Sequence, residues 1–542
     1  MEKFKQILAI LMIAAIFVPA AVLAHPGEIL KAFDTPGQFP TGLAFDGKHL
    51  WLADRKTQIL YCVDPQSGKI IKEIPSPAYW PTGLAWDGEF LWCADVKGGI
   101  PLSENYRGLI YKLSPEDGMV LKVIDAPTGR PRDLAWDGTY LWCVDEKTDE
   151  IIQFSPDDGT TIKTLRSPAN DPRGLAFDGK YLWVSDRIMD EVYMVDPENG
   201  QVLIITDAPG AFTRGLAWDG KNVWAVDSQE DKLFCLKAKD DDLFVLKNER
   251  HARVTYTHML TNFGPGKMLS GDIHLAIPVN RDNQVIEDVE FASGYHGFVT
   301  DKSGQKTVHY NYENVEPGEK VEAQMVITAK ISEIRYFIYP DKVGGLDEMP
   351  DDIPEVYYEN NEKYQLEHPV IAEAVEQIVG DEKNPYWIAR KIYNYLMDEM
   401  YYEMAGGWNT APTVLERGNG SCSEYSFVYI SMCRAAGLPA RYVGAVVVRG
   451  DDDCMDDVFH RWVEVYLPNY GWIPVDPSGG DQKLPRNQAN YFGHLSNRFL
   501  ITTESAGGSA TMGWTYNSND FYTTEPKTFV VSDHFADWKP LD

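Results

Sequence analysis

The sequence predicts a multidomain, mostly β protein with a C-terminal α+β domain. Three observations carry that prediction. One motif recurs five times through the first half, period-two segments follow it, and the last third opens on helical spacing of apolar residues.

Length and composition permit this. The 542 residues are 44% hydrophobic and 12% aromatic, enough to bury several cores. A net charge of −31 argues against a nucleic-acid partner, because phosphate binding needs clustered Lys and Arg. Acidity on this scale favours solubility and names no partner by itself.

The first residues, "MEKFKQILAILMIAAIFVPAAVLA", set Lys3 and Lys5 before an apolar run that ends in small residues ahead of His25. That is the pattern of a cleavable export signal. Residues 1–24 are therefore read as a signal peptide, and the mature chain as secreted, periplasmic or cell-surface. The competing reading is an uncleaved anchor, since Ile7 to Ala24 spans 18 residues, barely enough to cross a bilayer. No later segment is apolar enough to span a membrane.

The repeated motif reads "GLAFDGKHLWLAD" from Gly42, "GLAWDGEFLWCAD" from Gly83 and "LAWDGTYLWCVD" from Leu134. It returns as "GLAFDGKYLWVSD" from Gly174 and "GLAWDGKNVWAVD" from Gly215. Trp51, Trp92, Trp142, Trp183 and Trp224 mark it at spacings of 41, 50, 41 and 41, the longer gap reflecting an insertion near "KGGIPLSENYRG". Each unit parses as four short strands, the first two joined through Asp-Gly, a dipeptide that two-residue hairpin turns prefer because both positions need positive φ. Four strands per unit of about 40 residues is the signature of a propeller blade.

The fifth unit lacks its fourth strand, while "GEILKAFDTPG" from Gly27 matches the fourth strands "GKIIKEIPSP" and "GMVLKVIDAPTG". Residues 25–243 are accordingly predicted to form a five-bladed β-propeller closed by its N-terminal strand. The motif resembles the broad class of YVTN- and NHL-type propellers, which implies a binding or scaffolding module. Arg132, Arg173 and Arg214 recur before the innermost strands of blades three to five. They read either as an anion site at one mouth of the channel or as partners of the recurring Asp145, Asp186 and Asp227.

From Leu246 the period vanishes. Segments such as "ARVTYTHMLTNFG", "KTVHYNYENV" and "KVEAQMVITAKI" alternate in period two, predicting a β-sandwich over 246–358 with no catalytic cluster. The acidic stretch "GGLDEMPDDIPEVYYENNE" then serves as linker or capping loop.

Residues 359–542 form the third unit. "HPVIAEAVEQIVG" and "NPYWIARKIYNYLMDEM" read as amphipathic helices, the first with Pro369 at its opening position and the second with Trp387, Ile388, Ile392, Tyr395 and Leu396 on one face. Within "RGNGSCSEYSFVYISMC", Cys422 stands at the start of a buried helix, where unsatisfied N–H groups and the helix dipole favour a thiolate. His460 and Asp476 lie in "VFHRWVEVYLPNYGWIPVDPS", on two strands joined by a turn at Pro468–Gly471. A hairpin there sets Asp beside His, so that Asp fixes the imidazole tautomer while His takes the thiol proton. Half of a disulfide is the other reading of Cys422.

At these residues the sequence resembles the transglutaminase-like superfamily of papain-type cysteine enzymes. Its elements stand in order over about Ile371 to Ser505: G-x-C at a helix start, then "RAAGLPAR", "HRWVEV" and "GWIPVD". The resemblance implies a transglutaminase-like (papain-like) core, with Cys422 as nucleophile, His460 as general base and acid, and Asp476 as the orienting carboxylate. It also implies an oxyanion hole from the Cys422 backbone N–H and a donor before the nucleophile, for which Tyr402 is the candidate and Trp408 the second. Trp408 and Trp462 are the candidates for contacting substrate. For each of these three aromatics, core packing is the alternative.

The shared chemistry is attack of a thiolate on a peptide or carboxamide carbonyl to give a thioester. Water then makes the enzyme a peptidase or amidase, the reading favoured here, whereas a lysine amine makes it a cross-linking transglutaminase. In either case the propeller recruits a protein or peptide substrate, or another protein or ligand. A non-catalytic extracellular binding protein is the rival from another class.

No cofactor is expected. The seven cysteines show no zinc spacing, and Cys62, Cys93, Cys143 and Cys235 read as buried apolar thiols. "RGDDDCMDDVFH", an exposed acidic loop around Cys454, offers oxygens for calcium without the fixed spacing of a known loop. A solvated surface, or attraction of basic substrates, is the competing reading.

Overall fold

The computed structural model describes residues 25–96, 108–239, 242–404 and 407–541. The export segment predicted for residues 1–24 and residues 97–107 of the insertion lie outside them.

Five four-stranded antiparallel sheets form the first half, and the fifth is completed from the other end of the repeat. Strand Ile29–Asp34 pairs antiparallel with Lys232–Lys237, the outermost strand left by the last unit. The Asp-Gly turns differ from expectation. The turn of blade one spans four residues (46–49), and only the glycine has positive φ, +93° at Gly47. Asp46 caps instead: Oδ1 accepts the N–H groups of Lys48 and His49, and Oδ2 accepts the indole N–H of Trp51 at 3.0 Å. Asp87, Asp137, Asp178 and Asp219 hold Trp92, Trp142, Trp183 and Trp224 in the same way.

At the axis, blade two crowds its neighbours on both sides. A Cβ on Gly42 would meet Gly83 Cα at 2.6 Å, and one on Gly83 would meet Asp133 Cα at 2.4 Å. Blade three alone carries a side chain at this position, Asp133. It is fully buried and accepts backbone N–H groups from three other blades, Leu84 at 3.2 Å and Leu175 and Leu216 at 2.9 Å. One layer out, Arg132 and Arg173 pair with Glu146, and Arg173 also with Asp171 at 2.7 Å. Asp145, Asp186 and Asp227 are not their partners. These carboxylates accept backbone N–H groups of the turns that follow them, as Asp186 does from Ile188 and Met189, and Asp186 also accepts from Asp171 ahead of the innermost strand.

The sandwich is discontinuous in sequence. One sheet orders Gln284–Phe291, Lys320–Tyr336, Phe244–Asn262, Val530–Pro540 and Cys454–Asp456; the other orders Tyr295–Thr300, Lys306–Val315, Met268–Ala276 and Ser518–Thr524. The expected end near Tyr358 is thus corrected: the last two strands of the chain return to pair with Phe244–Asn262 and Met268–Ala276. The inward residues of the last strand, Val530, Ala536 and Trp538, join the same core as Val254, Tyr256 and Ile327, and that burial fixes its pairing. Cys454 is likewise half-buried in a short strand against Trp538 rather than in an exposed loop.

The third unit carries helices α1 (Pro369–Val379), α2 (Pro385–Glu399), α3 (Ala411–Arg417) and α4 (Cys422–Ala435). They pack against a sheet ordered Gly471–Val475, His460–Leu467, Ala440–Val447 and Phe499–Ser505. Pro369 opens α1, and Ile388, Ile392 and Leu396 bury one face of α2 while Trp387 and Tyr395 pack at its margin. α4 is buried nearly all round, which fixes its first residue relative to the sheet. Among the described residues no helix is long and apolar enough to cross a membrane.

Candidate active site

Cys422 is the first residue of α4, and the preceding loop is built to hold it there. Glu424, fully buried two positions on, accepts the N–H of Ser421 at 3.2 Å and the guanidinium of Arg417 at 2.9 Å. Its other oxygen accepts the backbone and side-chain N–H groups of Asn409. A buried carboxylate thus closes the helix start onto two segments before it, the Ser-x-x-Glu capping arrangement. All seven cysteines are free thiols, so the disulfide reading of Cys422 is set aside.

His460 opens its strand, and its Nε2–H donates to Oδ2 of Asp476 across 2.7 Å. The carboxylate is itself held, Oδ1 accepting Ser478 Oγ–H at 2.8 Å and Gly479 N–H at 2.9 Å. With Nε2 engaged, Nδ1 is the nitrogen left to hydrogen-bond the Cys422 thiol. The charges reinforce one another. Burial opposes ionisation of each group, yet Asp476 and Cys422 raise the imidazole to about 10, and His460 with Arg461 brings the thiol below its ordinary value. The Cys-His-Asp constellation read from the sequence is assembled in space.

The secondary candidates divide. Tyr402 lies in a two-residue strand, Tyr401–Tyr402, that pairs in parallel with Asn419–Gly420, which Ser421 alone separates from Cys422. It is half-exposed, and partial burial together with the Cys422 charge raises its phenol. Trp408 is 41% exposed, with its ring 4.9 Å from the guanidinium of Arg461. Trp462 is 1% exposed and cannot reach substrate. The reading of it as a substrate contact is corrected: on the strand face it shares with His460, whose ring is 5.9 Å away, it packs onto Phe499 at 5.1 Å and is buried with Val443, Ala445 and Ile501.

Two residues that the sequence reading passed over flank the thiol. Arg461 is completely buried among aromatics, 4.4 Å from the rings of both Tyr442 and Tyr516, and donates to the Trp514 carbonyl at 2.6 Å. Its backbone N–H hydrogen-bonds Cys422, and its charge favours the thiolate. Tyr516 hydrogen-bonds the thiol from the far end of the chain, and burial together with the Cys422 charge pushes its phenol upward. Gly444 makes this approach possible, since a Cβ there would stand 2.4 Å from Tyr516 Cβ. Arg461 alternates away from His460 and Tyr516 lies 94 residues past Cys422, so neither carried a local signal.

The remaining polar residues are structural. Arg434 braces the turn after α4 through the Ala440 and Ala506 carbonyls, and Arg441 pairs with buried Glu464 at 2.7 Å. Asp456 faces inward, accepting Val447 N–H at 2.7 Å and the Arg449 guanidinium at 2.8 Å, so its carboxylate is spent on the protein.

These features define a class. Residues 372–477 match the model of the transglutaminase-like superfamily, and the chain carries a transglutaminase-like domain. An uncharacterized protein of Haemophilus influenzae is 25% identical over 239 residues, 38% of this chain and 63% of that protein. The uncharacterized protein YebA of Bacillus subtilis is 31% identical over 77 residues, 12% of this chain and 10% of that protein. The chain therefore spans less than two thirds of either relative. Among solved structures, a candidate cysteine protease of Cytophaga hutchinsonii aligns over 54% of this chain and 93% of its own, at 14% identity and a TM-score of 0.37. Virginiamycin B lyase of Staphylococcus aureus aligns over 38% and 98%, at 15% identity and a TM-score of 0.26.

Proposed function

We propose that the protein is an exported cysteine-dependent acyl-transfer enzyme that hydrolyses peptide or carboxamide bonds through a thioester. The observation that supports it most is the Cys422–His460–Asp476 chain, whose charges favour a thiolate–imidazolium pair. In this reading the Cys422 sulfur attacks the substrate carbonyl carbon. The oxyanion is held by the N–H groups at the start of α4 and by Tyr402. His460 Nδ1–H then protonates the departing amine as the C–N bond breaks, leaving a thioester. A water gives its proton to His460 and attacks the thioester, releasing the acid and restoring the thiol. Asp476 keeps the ring oriented throughout. The propeller recruits the protein or peptide substrate.

The test is alkylation of the purified mature protein with iodoacetamide near pH 6, beside Cys422→Ala and His460→Ala variants. Rapid modification at Cys422, lost in His460→Ala, is the expected result. Labelling at Cys422 no faster than at the half-buried Cys454, and indifferent to His460, would leave a propeller-bearing binding protein. With the pair established, competition between water and added amines for an acyl-enzyme separates hydrolysis from cross-linking.

A further inference from the structure

Blade one of the propeller differs from the other four in a single pocket. In every blade the turn aspartate holds the motif tryptophan, and what lies beside the carboxylate differs from blade to blade. In blade two the residue paired across from the tryptophan is Lys112, whose ammonium lies 2.9 Å from Asp87 Oδ2. In blade three it is Gln153, whose amide donates to Asp137 Oδ2 at 2.8 Å. In blade four it is Met194, and Lys239 reaches to 3.9 Å of Asp178 Oδ2 instead. In blades two to four the carboxylate thus draws a cation or a donor into this space.

In blade one the paired residue is Cys62, and the turn supplies His49 where the other blades have Phe90, Tyr140, Tyr181 and Asn222. A ring nitrogen of His49, the Cys62 sulfur and an Asp46 oxygen all lie within 4.8 Å of one another, with His49 Nδ1 3.5 Å from Asp46 Oδ2. Blade five has the thiol, Cys235, but no imidazole.

We propose that Asp46, His49 and Cys62 bind a divalent transition metal, zinc foremost, with water as the remaining ligand. Thiolate, imidazole and carboxylate together are a zinc donor set, and three protein ligands with one open position is a common zinc arrangement. Around a tetrahedral zinc such atoms stand roughly 3.5 Å apart, so side-chain shifts of about 1 Å close the site. Its surroundings orient the carboxylate, since Trp51 and the Lys48 and His49 N–H groups already fix Asp46. Lys72, across the strand from Cys62, gives its ammonium to Glu116 at 2.8 Å, and half-buried His49 and Asp46 leave an entry from solvent. Binding exchanges the Cys62 S–H bond for a metal–sulfur bond and releases that proton to solvent.

Cobalt titration of the full mature chain carrying Cys422→Ala tests this, the variant removing the active-site thiol as a competing ligand. The expected result is a thiolate-to-cobalt charge-transfer absorption saturating at one equivalent and displaced by zinc. Cys62→Lys and His49→Phe install the residues of blade two, so each keeps an arrangement the propeller already contains. The absorption should vanish in Cys62→Lys, and binding should weaken tenfold or more in His49→Phe. No absorption in the Cys422→Ala protein, or one that survives Cys62→Lys, overturns the proposal. If Cys62→Lys misfolds by circular dichroism, the turn variant His49→Phe decides alone: unchanged cobalt affinity there overturns the proposal.

Discussion

His460 and Asp476 meet at 2.7 Å without facing one another in the hairpin that carries them. Val463 stands opposite Val475, so Asp476 lies one residue past the last pair while His460 lies three residues before Val463. The contact is diagonal, and it holds because Ser478 and Gly479 fix the other carboxylate oxygen from the loop beyond the strand.

That contact sets a pH window. The imidazole is raised to about 10, so the stabilisation it contributes is complete below its ordinary value of 6.5 and is lost as pH rises through about 10. The thiol is lowered, so its thiolate is lost as pH falls through the depressed value. Cys422 alkylation and acylation should therefore rise from the acid side, hold a plateau, and acylation should fall near pH 10 as the proton donor is lost. In Asp476→Asn the alkaline edge should move down by roughly 1–3 pH units, because the opposite charge that raises His460 is gone. A pH–rate profile of both proteins checks this; an unmoved alkaline edge would remove His460 as the titrating group.

Tyr516 donates to the same sulfur that His460 hydrogen-bonds. In Tyr516→Phe the thiolate loses one donor, so the acid edge of alkylation should move to higher pH. At pH above that edge the rate should increase several-fold, since a less solvated thiolate is the better nucleophile. Iodoacetamide kinetics across pH read both effects, and a variant indistinguishable from the parent at every pH would reduce Tyr516 to packing.

Asp133 is the propeller's single axial side chain at its level, and it satisfies three buried N–H groups. Asp133→Ala should destabilise the propeller by about 3 kcal/mol, since each orphaned buried donor costs about 1–3 kcal/mol and water recovers part of the loss. Asp133→Asn keeps one acceptor oxygen and should fall between. Thermal unfolding followed by tryptophan fluorescence ranks the three proteins.

The legible features were those with local physical causes. The five blades follow from a motif whose Asp, Gly and Trp act within one hairpin, and closure follows from a missing fourth strand matched at the other terminus. The place of Cys422 was legible because a Gly-rich turn runs straight into an apolar helix there, whereas the buried Glu424 carboxylate that closes the helix start came only from the structure. Trp462 shares the His460 face of its strand, and no local pattern shows that Phe499 and the neighbouring core cover that face.

By itself the sequence determined the repeat, the order of the three units and the residues able to form a Cys-His-Asp chain, since periodicity and helix or turn chemistry act over a few neighbouring positions. Only the tertiary structure decided that the last two strands complete the sandwich, that Tyr516 and Arg461 flank the thiol, and that Asp46, His49 and Cys62 share one pocket. Those relationships depend on register and on burial between distant segments, and no local pattern of residues encodes them.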